Sequence, residues 1–235
     1  MIRLPQLDAD LRIGDARWRL HLLLGTALIA MASCWLWATP GPFLRGQMQS
    51  PESAMQNALV AFAFLFVFPL VVAWVAGIRP ASLGICLGEW KLGLMITAIG
   101  IPIAAGLLFF GCDDLEIKTA YPWAGQWLAA STGNMLKWFA VYLLYYIAFE
   151  FFFRGFLLKG LEPELGLATA MWIQVLLSVA IHFGKPTPEI LGAIPAAFIF
   201  GRIACQTNSI LYVVLIHWAI GILNDLFAMH FKDWI

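Results

Sequence analysis

The sequence predicts an all-α fold, a polytopic helical bundle of about seven membrane-spanning helices. Three observations carry this. Hydrophobic residues make up 62% of the chain and charged residues only 12%, a balance unlike that of a water-exposed domain. The apolar residues come in runs near the ~20 residues that cross a bilayer. Eleven tryptophans suit an aromatic belt at the membrane–water boundary. Formal net charge is zero, so nothing points to a nucleic-acid partner. Cys34, Cys86, Cys112 and Cys205 lack any CxxC spacing and read as separate thiols, not a disulfide framework or a metal site.

Residues 1–19 are mixed and charged. Arg3, Arg12, Arg17 and Arg19 gather before the first apolar run. Lys and Arg set topology more than Asp and Glu do, so this end is placed in the cytoplasm. Residues 20–235 form a single membrane domain, with no repeat to divide it. The first helix is predicted over Leu20–Ala38. Thr39–Gln56 holds three prolines and is an external loop. The second helix runs Asn57–Val75. Gly77–Trp90 returns to the cytoplasmic side, with Arg79 in it and Lys91 after it.

The third helix runs Leu92–Phe110, with Pro102 as a kink point. A loop with Asp113, Asp114 and Glu116 continues to Gly133, and places Trp123 and Trp127 at an interface. The fourth helix, Met135–Lys159, exceeds one span and must tilt or project. LEPEL at Leu161–Leu165 is predicted as a turn, with Pro163 and Gly166 as breakers. The fifth helix runs Ala168–Phe183, and GKPTP at Gly184–Pro188 breaks the chain again. The sixth runs Glu189–Ala204. Ser209 is a candidate cap for the seventh, which ends near Met229.

The second half carries polar groups at membrane depth. Tyr142–Leu158 is almost wholly apolar, yet contains Glu150 and Arg154, four apart and so on one helical face. A charge there costs about 3 kcal/mol on the insertion scale, which makes it a functional candidate first. His182 and His217 also sit in apolar runs. Glu150 and His182 are equally far from Gly166, so two antiparallel arms bring them to similar depth. His217 lies roughly 12 Å in from the Ser209 turn. One intramembrane cluster of Glu150, His182 and His217 is the resulting expectation. A desolvated carboxylate takes a proton from water, and imidazoles orient that water or stabilise an oxyanion. Arg154 either fixes the carboxylate or ties it into a structural pair. Glu150, His182 and His217 are also a donor set for Zn²⁺. No HExxH is present and the ligands come from three helices, so no metal or other cofactor is favoured. Lys185, Glu189, Glu162 and Glu164 read as solvated charges beside breaks in the chain.

At these residues the chain resembles the CPBP family of intramembrane endopeptidases. That family includes the eukaryotic protease that trims prenylated CaaX proteins and bacterial relatives linked to bacteriocin processing or immunity. Its first motif is EExxxR; FEFFFRGFLL at Phe149–Leu158 matches from the second Glu. Its second is FxxxH, often extended to HxxxP; Ser178, His182 and Pro186 keep the His and the Pro. Its third is His followed four residues later by Asn or Asp. His217 matches, Gly221 fills the fourth place, and Asn224 and Asp225 follow as auxiliary candidates. The resemblance covers about Val141–Asp225, within a core at about 135–230.

The resemblance implies a multi-pass protein of the bacterial cell (inner) membrane, acting on a protein or peptide substrate, lipidated or not, within membrane lipid. It implies no oligomer. In the family the first Glu of the pair activates water, assisted by the two His and the Asn. Here that first position is Phe149. Either Glu150 is the base of a single-carboxylate variant, or it only partners Arg154 and the chain is an inactive binding or immunity scaffold. Adjacent helical positions point about 100° apart, so Glu150 replaces its neighbour only if the helix rotates. A transporter would need inverted halves with broken helices, and none is visible.

Overall fold

The computed structural model describes residues 18–38 and 49–235. The cytoplasmic placement of Arg3, Arg12 and Arg17 and most of the Thr39–Gln56 loop lie outside the described residues. Eight helical rods follow in order: α1 Trp18–Trp37, α2 Pro51–Val75, α3 Trp90–Gly111, α4 Leu115–Ala120, α5 Thr132–Leu165, α6 Leu167–Ala180, α7 Thr187–Thr207 and α8 Leu211–His230. No strand occurs among the described residues, as expected of a chain that must satisfy its backbone bonds in lipid. Six of the rods, all but α4 and α6, are long and apolar enough to cross a membrane. The seventh expected span, α6, has only 14 residues. At 1.5 Å per residue it is about 21 Å long, short of a full crossing. The helix ends at Ala180 and the chain turns from Ile181, placing His182 in a turn and not on the rod.

Local sequence explains most boundaries. Ser50 and Ser131 start α2 and α5 by accepting from Ser53 N at 3.2 Å and Asn134 N at 3.1 Å. Asp114 starts α4 by accepting from Glu116 N at 2.8 Å and Ile117 N at 3.2 Å. Gly166 ends α5 with φ +77°, a conformation that suits glycine. In α2 the stretch Phe62–Val67 widens to a π-helix just before Pro69. Phe68 N reaches Ala63 O, five residues back. Pro69 has no N–H to offer, so the ladder must shift around it. LEPEL is not a turn: Gly160–Leu165 continues α5 as helix, and the reversal comes at Gly166. Ser209 does accept from Leu211 N at 3.1 Å, one residue outside the Ile210 cap position.

The centre of the bundle is α5. From Ala148 to Leu158 every residue is buried, the mark of a helix with neighbours on all sides. Its lower half, Phe151–Lys159, is π-helical and packs on α6, α7 and the Pro80–Leu83 turn. A Cβ on Gly155 would lie 2.7 Å from Leu83 O, so that approach needs a glycine. α3 meets α8 in the same way, since a Cβ on Gly93 would lie 2.3 Å from the Tyr212 ring. Leu28, Leu36, Trp74, Leu107, Phe110 and Leu191 stay exposed on the outer helices. They form the apolar belt that lipid covers. The chain is an integral membrane protein.

The 112–131 connection is folded down onto the bundle. Trp123 is buried and packs edge-on against Trp138, centroids 6.0 Å apart. It does not sit at an interface, whereas Trp127 stays half-buried. The cause is Asp225, whose carboxylate accepts from Trp123 N at 3.0 Å and Trp138 Nε1 at 2.8 Å.

Candidate functional site

The charged pair sits where α5 changes from α to π geometry. Glu150 ends the α-helical part and Arg154 lies one turn on, in the π stretch. Both are buried. Arg154 Nε lies 3.1 Å from Glu150 Oε2. This is an ion pair by distance but not an aligned hydrogen bond: both atoms, and Arg154 Nη1, lack hydrogen-bond partners. The guanidinium is also enclosed by the rings of Phe149, Phe153 and Phe200, at 5.5–5.8 Å, which offset part of its desolvation.

The other Glu150 oxygen meets α8. His217 Nδ1 lies 2.5 Å from Glu150 Oε1. An Nδ1–H donated to the carboxylate fixes the tautomer and leaves Nε2 with its lone pair free. His182 is held differently. Its Nδ1 lies 2.6 Å from Ser178 O; a carbonyl only accepts, so Nδ1 carries the proton here as well. The Ser that stands at the usual Phe position of the second motif thus contributes through its backbone.

The Phe149 ring packs against both imidazoles. Its centroid is 5.7 Å from that of His182 and 5.3 Å from that of His217, edge-on to both. Phe149, Arg154, His182 and His217 all line one cavity of about 360 Å³, and Glu150 does not. The expected cluster therefore assembles with a different division of labour. Glu150 reaches His217 but does not line the cavity, and Phe149 lines it against both histidines. Among the described residues no three His, Cys, Asp or Glu side chains are grouped to hold a metal ion. The Zn²⁺ donor set of Glu150, His182 and His217 does not fit this geometry, because Glu150 Oε1 is taken by His217 Nδ1 and Glu150 does not line the cavity that the two imidazoles share.

The auxiliary candidates separate. Asn224 lines the cavity, and its Oδ1 accepts from Cys112 Sγ at 3.2 Å. Asp225 points away from it, into the Trp123–Trp138 lock. Lys185 and Glu189 are not solvated charges. They pair at 2.6 Å with side chains about four-fifths buried, and Glu189 lines the cavity. The Tyr121 hydroxyl donates to Glu189 Oε2 at 2.6 Å. Burial, and then the adjacent carboxylate, push that phenol well above its usual range, so it stays protonated. The i,i+4 spacing of Lys185 and Glu189 was the available signal. Tyr121 carries none, because its partner lies far along the chain. Tyr142 and Tyr146, also on the cavity, carry no such signal either, as aromatics within an aromatic run.

Residues 131–223 match the family model for type II CAAX prenyl endopeptidases, Rce1-like. That is about two-fifths of the chain, running from the start of α5 into α8. It includes Phe149, Glu150, Arg154, His182 and His217, and stops short of Asn224. The match agrees with the CPBP resemblance of the motifs. No curated protein and no solved structure matches the chain.

Proposed function

We propose that this protein is a CAAX-type intramembrane endopeptidase whose water-activating base is His217, held by Glu150. One observation carries the reading: a buried carboxylate 2.5 Å from Nδ1 of an imidazole that borders a cavity shared with a second imidazole. The Rce1-like match supports a protease acting on peptides or proteins. A carboxylate behind a histidine orients the ring and stabilises the imidazolium that forms when Nε2 takes a proton. Arg154, 3.1 Å from the same carboxylate, is its buried counter-charge. The second imidazole, His182, offers a free Nε2 to position the water.

Hydrolysis then runs in two steps. Water adds to the peptide carbonyl carbon as its proton passes to His217 Nε2, and the carbonyl oxygen becomes an oxyanion. Collapse breaks the C–N bond, and His217 returns the proton to the leaving amine. The site needs no cofactor for this. The substrate class is a peptide or protein, prenylated or not.

A second reading has its own observation. The Phe149 ring lines the cavity against both histidines, at the place of the family's first Glu, which suits an inactive scaffold. The two separate on purified protein in lipid vesicles. His217→Gln and Glu150→Gln should abolish or cripple cleavage of a CaaX-ending peptide, with chelators leaving wild-type activity unchanged. Full cleavage by both variants removes the dyad from the mechanism. A folded wild type that cleaves neither the prenylated nor the unprenylated peptide favours the scaffold.

The N-terminus is proposed to face the cytoplasm of a bacterial cell. Supporting this, among the described residues Arg19, Arg79, Lys91, Lys159 and Arg202 fall at the end of the bundle where α1 begins, against Lys118, Lys137, Lys185 and Lys232 at the other.

A further inference from the structure

Gly221 is the residue where the third motif departs from its family pattern, and the structure shows what fills the space. A Cβ built on Gly221 would lie 2.2 Å from the Tyr146 hydroxyl oxygen and 2.5–2.6 Å from its ring carbons. No larger residue fits at 221 while Tyr146 keeps this place. Tyr146 is buried, and its ring lies against His217 with centroids 4.5 Å apart. Gly221, Tyr146 and His217 border the same cavity. The tyrosine therefore brings a phenol to the point where a side chain at 221 would begin, one helical turn from the dyad histidine.

Chemistry gives that phenol a task. An oxyanion needs donors aimed at it. His182 and His217 both spend their Nδ1–H inward, on Ser178 O and Glu150, so in the resting state their Nε2 atoms only accept. Tyr121 and Lys185 are committed to Glu189. The Tyr142 and Tyr146 rings pack together, centroids 4.7 Å apart. Arg154 Nη1 and Asn224 Nδ2 are further donors on cavity-lining residues; of the cavity donors, the Tyr146 hydroxyl is the one on a ring packed against His217.

We propose that Tyr146 is a catalytic hydrogen-bond donor, its hydroxyl stabilising the oxyanion formed beside His217, and that Gly221 exists to admit it. This rests on the peptidase reading above. As water adds to the carbonyl, the C=O electron pair moves to oxygen and accepts from the Tyr146 O–H. No proton transfers to or from the phenol, and the bond is released when C–N breaks.

Tyr146→Phe keeps the ring and loses only the hydroxyl. On a quenched peptide with a prenylated CaaX end, kcat should fall roughly 10²–10³-fold, with KM changed less than twofold. The unfolding temperature in detergent should stay within a few degrees. Unchanged kcat in a wild type that cleaves overturns the proposal and leaves the peptidase reading standing. A folded wild type that cleaves neither the prenylated nor the unprenylated peptide overturns both. A structural role predicts a lowered unfolding temperature and no kcat-specific loss. The double variant Tyr146→Ala with Gly221→Asn supplies a polar group from the other helix. It should regain at least tenfold over Tyr146→Ala alone; no regain counts against the exchange of Tyr146 for a side chain at 221.

Discussion

Glu150→Gln keeps the shape of the side chain and removes its charge, which makes it the most informative single change. The amide still fits between Arg154 and His217, but an NH₂ facing His217 Nδ1 favours the wrong tautomer. A loss of roughly 10³–10⁴-fold in kcat is expected by comparison with carboxylate-to-amide changes behind catalytic histidines. Glu150→Ala should do worse, since it leaves Arg154 buried without a counter-charge, at about 3–5 kcal/mol of stability. Thermal unfolding of both variants in detergent separates the two effects. At this scale the sequence was informative for Glu150, Arg154, His182 and His217, because charge and imidazole in apolar runs demand an account. It was silent on Phe149 as the ring packed against both imidazoles. An aromatic in an aromatic run has no distinguishing pattern, and only the rotation of α5 decides which of Phe149 and Glu150 borders the cavity.

At the scale of elements, the lock at Asp225 ties three parts of the chain. α8 supplies the carboxylate, α5 supplies Trp138, and the connection after α4 supplies Trp123. Hydrogen bonds to a charged group contribute about 1.5–3 kcal/mol each. Asp225→Ala should therefore lose about 3–6 kcal/mol in detergent unfolding and raise proteolysis between Cys112 and Ser131. Asp225→Asn should lose less, because one carbonyl oxygen remains to accept. If Asp225→Ala leaves that connection protected, the lock is not what holds it. Seven apolar segments were legible because hydropathy and turn residues agree on them. The helical continuation through Gly160–Leu165 was not. Pro163 argues for a break on local grounds, while packing of the π stretch around it carries the helix on to Gly166.

Across the whole molecule the cavity is one-sided. Cys112, Ile117, Tyr121 and Glu189 line it, all from the end where α3 finishes and α7 starts. No residue of the Gly77–Trp90 connection or the Gln206–Ile210 turn does. Substrate should enter from the face opposite the Arg79–Lys91 connection, which is the outer face if the N-terminus is cytoplasmic. A membrane-impermeant thiol reagent on intact cells should label a cysteine placed at Gln126, in a variant lacking the native cysteines. It should not label one placed at Ser82. The reverse pattern inverts the topology. This sidedness was hidden in the sequence, because it depends on Tyr121 meeting Glu189 across 68 positions.

The ion pair within α5 also bears on how the protein is made. Its two charges are four residues apart on one rod, so the rod carries its own counter-ion before α8 has left the ribosome. The translocon meets a nearly neutral dipole instead of a lone carboxylate waiting for His217. Arg154→Leu should therefore lower the inserted fraction of α5 in a glycosylation-mapping assay, despite raising its hydrophobicity. Greater insertion of that variant would mean that nascent α5 does not neutralise itself.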